Sequence, residues 1–164
     1  MHKLLNFFHL PEALALKVGD PAPLFELATH QGELFNLATR QHQGWTVLFF
    51  YPKAGTPVCT QQVCSFRDDV SLLHAVNADV YGISTDSVQA ITDFHRKHQL
   101  NYTLLADNDA KVTEAYGAKM PMLKLAKRWT FILDTDLIIR HIDNQVDANF
   151  DCKNAADRIK RFFS

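Results

Sequence analysis

In "LFELATHQGELFNL" apolar and polar positions alternate on either side of Gln31 and Gly32, the period of two that sends successive side chains to opposite faces of a strand. This pattern predicts a β-hairpin. Trp45 to Phe50, "WTVLFF", is instead apolar throughout, as expected of a central strand covered on both faces, and Pro52 closes it. From Cys59 the period becomes helical. Cys59, Val63, Phe66, Val70 and Leu73 share one face, while Cys64, Arg67, Asp68 and Ser71 populate the other. An amphipathic helix therefore begins close to Cys59.

Further along, the spacing predicts a strand over Asp79 to Ser84, a helix with the stripe Val88, Ile91 and Phe94, and a short strand over Tyr102 to Ala106. A brief helix capped near Asn108 or Asp109 and stopped at Gly117 should follow. Trp129 to Leu133 and Leu137 to Ile142 read as a second hairpin around Asp134 to Asp136, and a C-terminal helix is expected to turn Ala155, Ile159, Phe162 and Phe163 inward. Strands alternating with helices, with hairpins added, imply an α/β fold with a mixed sheet and helices on both faces. Sites in such sheets gather beyond the C-terminal ends of strands. "WTVLFF" ends at such a place, just before the Cys59 helix.

Length and composition narrow the picture. At 164 residues and 47% apolar content the chain suits one domain with a substantial core. Seventeen basic against 18 acidic residues, with no basic stripe, argue against a nucleic-acid partner, and no apolar run approaches a membrane span. The N-terminal "MHKLLNFFHLPEALA" has the lysine, apolar patch and AxA-like end of a signal peptide, but Asn6 and His9 interrupt the patch and Pro11 and Glu12 crowd the cleavage position. Residues 1–15 are accordingly expected to be an amphipathic extension and 16–164 the folded domain. Three cysteines are too few and too odd in number for a disulfide scaffold, which favours a reducing, cytoplasmic compartment.

Two of those cysteines lie five positions apart in "YPKAGTPVCTQQVC". A free thiol has a pKa of about 8.5, and the unpaired N–H groups at a helix start stabilise the thiolate. Cys59 occupies that place. On an intact helix, residues five apart have Cα atoms roughly 8 to 9 Å from each other, beyond the reach of a disulfide, so pairing of Cys59 with Cys64 would require local unwinding. Zinc usually needs CxxC-type spacing and four ligands, which CxxxxC does not offer. A thioredoxin-type oxidoreductase would carry Cys-x-x-Cys. Inert structural cysteines remain a further alternative. Cys152 shares a face with Ala155 and Ile159 and reads as a buried apolar thiol.

At these residues the chain resembles the peroxiredoxins, in particular their bacterioferritin-comigratory-protein or PrxQ branch. The family motif PxxxTxxC is matched by Pro52, Thr56 and Cys59, the branch's second cysteine by Cys64, and its "FRD" by Phe66, Arg67 and Asp68. "GISTDSVQAITDFHRKH", "LLADND", "EAYGA" and "KRWTFILD" extend the match from about Leu16 to the C-terminus. The resemblance implies a thioredoxin-like fold and reduction of hydroperoxides by thiol chemistry without metal or organic cofactor. It assigns Cys59 as peroxidatic cysteine, Thr56 as the hydroxyl beside thiolate and peroxide, Pro52 as a shield against water, and Arg128 as the stabilising cation. Cys64 would be the resolving cysteine, closing an intramolecular disulfide that thioredoxin or a similar dithiol reduces. The branch further implies a monomer. Two positions depart from its pattern: Val58 where glycine is common, and Gln62 where glutamate is common. A peroxide-responsive sensor or holdase would use the same oxidation to switch partner binding.

Overall fold

The structure is a computed structural model that describes residues 15–163. The readings made for residues 1–14 lie outside the described residues. Seven strands form one mixed sheet: β1 (Glu26–Thr29), β2 (Leu34–Asn36), β3 (Trp45–Phe50), β4 (Ala78–Ser84), β5 (Thr103–Ala106), β6 (Thr130–Leu133) and β7 (Ile139–Asp143). Their order is β2-β1-β5-β4-β3-β6-β7, with β3, β4 and β5 parallel and the outer pairings antiparallel. Among the described residues four α-helices complete it: α1 (Pro57–His74), α2 (Val88–Lys97), α3 (Lys111–Ala115) and α4 (Asp151–Arg161). No described helix is long and apolar enough to cross a membrane.

The sequence periods account for most of this. β3 is buried at all six positions. Val47 and Phe49 enter a cluster with α1, α2 and α4, whereas Leu48 and Phe50 enter a second cluster on the opposite face. That second face is less helical than expected. It is covered by a 3₁₀ turn at Leu37–Arg40, by Phe25, Ala118 and Ala126 from extended segments, and by the short α3 with Tyr116 at its end.

Three expectations are corrected. The first turn of α3 is held by Asp107, whose buried carboxylate accepts from Thr113 N–H (2.7 Å), Val112 N–H and the Thr113 hydroxyl, while Asp109 accepts from Lys111 N–H. A side chain N-terminal to both proposed caps wins because it is buried beneath the turn. In α4, Ala155 and Ile159 do face inward, but the helix ends at Arg161, and Phe162 and Phe163 pack on Trp45 with Phe163 65% exposed. Trp45 starts β3, so the last aromatics cap the sheet's end. Leu137 adopts φ 60° in the turn and the following strand starts at Ile139.

α1 is seated by aromatic stacking: the Phe66 ring lies on Phe49 at 4.3 Å, nearly parallel. Phe49 finds room because Gly82 of β4 stands opposite it. A Cβ at that position would meet Phe49 Cζ at 2.6 Å and Leu104 Cδ2 at 2.8 Å. Gly82→Ala should therefore cost about 1–3 kcal/mol through overpacking. Urea unfolding reads this directly, and an unchanged midpoint would contradict the packing described.

Candidate active site

β3 and β6 are antiparallel neighbours with Phe49 opposite Thr130, so the C-terminal end of one meets the N-terminal start of the other. Phe50 N–H donates to the Trp129 carbonyl at 2.8 Å and extends the pairing past the strand ends. Chain leaving β3 runs through Pro52 into α1, and chain entering β6 passes through Arg128. Antiparallel pairing thus brings the candidate nucleophile and the candidate cation to one place.

The loop between β3 and α1 is tied on both sides. Ala54 N–H donates to Asp86 Oδ2 at 2.8 Å, and the same carboxylate oxygen accepts from Ser84 Oγ at the end of β4. Gly55 takes φ 87°, in the left-handed region that glycine tolerates, and Pro57 occupies the first turn of α1, where no N–H is needed. Pro52 is half-buried at the loop's start. Thr56 precedes the helix. Its carbonyl accepts from Thr60 N–H (2.9 Å) and the Thr60 hydroxyl (2.8 Å), stitching the first turn. Its own hydroxyl donates to the Lys53 carbonyl at 2.9 Å rather than to Cys59.

Cys59, 1% exposed, is the third residue of α1, so its backbone N–H lies among those with no partner within the helix. Arg128 Nη2 donates to Cys59 Sγ at 3.4 Å, and Arg128 Nη1 donates to Gln62 Oε1 at 2.6 Å. A guanidinium held over a sulfur at a helix start stabilises negative charge that develops at reacting atoms there. Arg128 is delivered by a tight turn between Gly117 and Arg128: Lys119 and Ala126 bridge, and Lys127 N–H donates to the Ala118 carbonyl at 2.6 Å. At the tip of that turn Met122 is almost fully exposed.

Gln62 does not end the chain of contacts. Its Nε2 donates to Asp151 Oδ2 at 2.9 Å, and the Thr130 hydroxyl donates to the same oxygen at 2.7 Å. Asp151, the first residue of α4, is 1% exposed. Sequence reading passes over it, because an aspartate at a helix start ordinarily looks like a solvent-facing charge complementing the dipole. Its burial is set by the packing of α4 against α1 and β6, which no local pattern encodes.

The other sulfurs separate clearly. Cys64 lies in the same unbroken helix, half-buried, and all three cysteines are free thiols. Burial pushes the Cys64 thiol up, against a smaller pull from Arg67. Arg67 itself is engaged by Asp68 and the His98 carbonyl, outside the site. Cys152 is fully buried, donates to the Asp69 carbonyl at 3.4 Å, and is pushed up to about 12 by burial and then by Asp69 and Asp151, which fits an inert packing thiol.

Burial raises the Asp151 carboxyl from an ordinary 3.8 to about 6, with the Gln62 and Thr130 hydrogen bonds pulling the other way. The folded state therefore binds this proton more tightly than the unfolded chain. Its contribution is fully present below about pH 4 and is lost as pH rises through about 6, an interval worth roughly 3 kcal/mol. The stability of Asp151→Asn relative to the unsubstituted protein should accordingly grow between pH 4 and 7. Paired urea titrations across that range cancel all other ionisations, and a constant difference would contradict the assignment.

The chain matches the AhpC/TSA family over residues 18–142. It is 41% identical to peroxiredoxin Bcp of Escherichia coli K12 over 133 residues, covering 77% of this chain and 85% of that protein. Among solved structures it is similar to peroxidoxin BcpB of Mycobacterium tuberculosis, with a TM-score of 0.85 and 33% identity over 91% of this chain and 99% of that one. PrxQ of Xylella fastidiosa shares the fold at a TM-score of 0.84 and 24% identity, over 91% of this chain and 98% of that one. The thioredoxin-like architecture, the thiol at the start of α1 and these similarities lead to one conclusion: the chain belongs to the AhpC/TSA family as a peroxiredoxin of the Bcp/PrxQ type, a thiol-dependent peroxidase.

Proposed function

We propose that Cys59 is the peroxidatic nucleophile, that Arg128 stabilises its thiolate and the polarised peroxide, and that Cys64 resolves the product. The observation that carries this reading is the buried Cys59 sulfur 3.4 Å from Arg128 Nη2 at the start of α1. The thiolate displaces on the terminal oxygen of a hydroperoxide. The S–O bond forms as the O–O bond breaks, and the leaving oxygen takes a proton to depart as water or alcohol. Pro52 limits water at the reacting sulfur. Thr56 would have to turn its hydroxyl from the Lys53 carbonyl to reach thiolate or peroxide, a single rotation about its side-chain bond.

Cys64 then attacks the Cys59 sulfenic acid and expels water. The intact α1 separates the two sulfurs, so this step needs its first turns to open, releasing the Thr60–Thr56 bonds and the Ala54–Asp86 tie. The disulfide is reduced by thioredoxin or a similar small dithiol. Alkyl peroxide reduction is named for the bacterioferritin comigratory protein of Xanthomonas campestris. We extend it here, so organic hydroperoxides join hydrogen peroxide as substrates. The reading includes residues 16–164 as the catalytic domain, a monomeric protein and the cytoplasm as its site of action.

Cys59→Ser should abolish peroxide consumption, and retained turnover would overturn the reading. Arg128→Ala should lower kcat/KM for peroxide on the order of 10²-fold, the cost of removing a preorganised donor from a water-poor site. Mass spectrometry after one equivalent of peroxide should show a Cys59–Cys64 disulfide. Persistent sulfenic acid on Cys59 would remove Cys64 from its role.

A further inference from the structure

Three side chains from distant parts of the sequence form a single file: Arg128 to Gln62 at 2.6 Å, and Gln62 to Asp151 at 2.9 Å. The ends of that file differ in kind. A guanidinium can only donate hydrogen bonds and a carboxylate can only accept them. A glutamine between the two has one orientation that satisfies both, with Oε1 toward Arg128 and Nε2 toward Asp151. Gln62 and Asp151 are both buried, so each bond is made in a water-poor setting.

We propose that Asp151 is a positioning residue for peroxide reduction: its carboxylate, acting through Gln62, holds Arg128 over the Cys59 sulfur. This rests on Cys59 and Arg128 acting as proposed above. The amide of Gln62 carries no charge with which to hold a cation. Ionised Asp151 supplies the anion one residue farther back, and its bond from Nε2 polarises the amide so that Oε1 is a stronger acceptor for Arg128. Thr130 donates to the same carboxylate oxygen and fixes the carboxylate against β6. The bonds also give the arrangement its direction, since the Asp151 carboxylate accepts from Gln62 and Thr130, and Gln62 in turn accepts from Arg128.

The charged surroundings of Asp151 are mixed. A polar cavity of about 300 Å³ opens beside it, lined on β7 by His141 and Asp143 and on α4 by Asp157, Arg158 and Arg161. Cys152 adjoins Asp151 on α4, and Arg128 acts on it from the segment before β6. His141 is the one histidine of this set, and burial lowers it, followed by Arg158. The cavity gives solvent protons access to the carboxylate. Burial raises the Asp151 carboxyl to about 6, so the assistance is half present there, approaches completion about one to two pH units higher and fades below.

The test compares kcat/KM for hydrogen peroxide in the full-length protein with that of Asp151→Asn from pH 5 to 8. The ratio removes every ionisation common to the two proteins. We expect about a fivefold advantage of the aspartate at pH 8, the margin between a charged and a neutral hydrogen-bond acceptor, shrinking toward one at pH 5. His141→Gln should leave that inflection in place. On a Gln62→Glu background, where a carboxylate meets Arg128 directly, Asp151→Asn should no longer slow the reaction. A purely structural role would give the same loss on both backgrounds, and that outcome, or a ratio independent of pH, overturns the proposal. Asp151→Asn removes a buried charge and keeps the shape, so its melting temperature at pH 7 should not fall. Should it fold poorly, Gln62→Met interrupts the file and leaves Asp151 on Thr130; an unchanged kcat/KM in that variant also overturns the proposal. If Cys59→Ser retains turnover, the underlying site is wrong. If Cys59→Ser and Arg128→Ala fail as expected while the ratio stays flat, only the role of Asp151 is wrong.

Discussion

The pairing of β3 with β6 is the constraint on which the site depends. β3 is sandwiched between β4 and β6 and buried on both faces, so its register cannot slip by one residue without exchanging Phe49 and Phe50 between two separate cores. That register delivers the β3–α1 loop and Arg128 to the same end of the sheet. Phe50 N–H on the Trp129 carbonyl locks them there. A side chain two residues before β6 and another at the third position of α1 would otherwise have no reason to meet.

The Cys59 sulfur lies between a rigid region and a releasable one. Below it, Phe66 is stacked on Phe49 and Tyr102 donates to the Val63 carbonyl at 2.7 Å, in the heart of the larger cluster. Above it, the first turn of α1 is held by a few polar bonds from Thr60, Thr56 and Asp86. Breaking such bonds exposes their partners to water that can replace them, so each costs only about 1 kcal/mol net. Extracting Phe66 would cost several times more. The gradient along one helix is what a thiol needs if it must be fixed for one step and free for the next.

Asp151 illustrates the opposite economy of placement. A buried carboxylate is destabilising, and here it is retained beneath a glutamine that faces Arg128. Polar groups held in a water-excluded position against their own preference are expected where they orient a reacting centre.

Much of the architecture is legible in the sequence because periodicity and punctuation are local properties. "WTVLFF" announces a strand buried on both faces, the Cys59–Leu73 stripe announces α1, and the PxxxTxxC spacing with Cys64 and Arg128 marks the site through its resemblance to a known family. The misses share a cause. Asp107 displaces Asn108 and Asp109 as the main cap, and Phe162 and Phe163 cover Trp45, both because of what lies nearby in space. Gln62 is readable as an acceptor for Arg128, yet nothing in the chain places Asp151 behind it, 89 residues away. Residue types and their local spacing thus determined the elements, and the family resemblance pointed to Cys59 and Arg128. Only the packing of α4 against α1 and β6 decided what stands behind that cation, because burial and long-range hydrogen bonding are properties of the assembled structure.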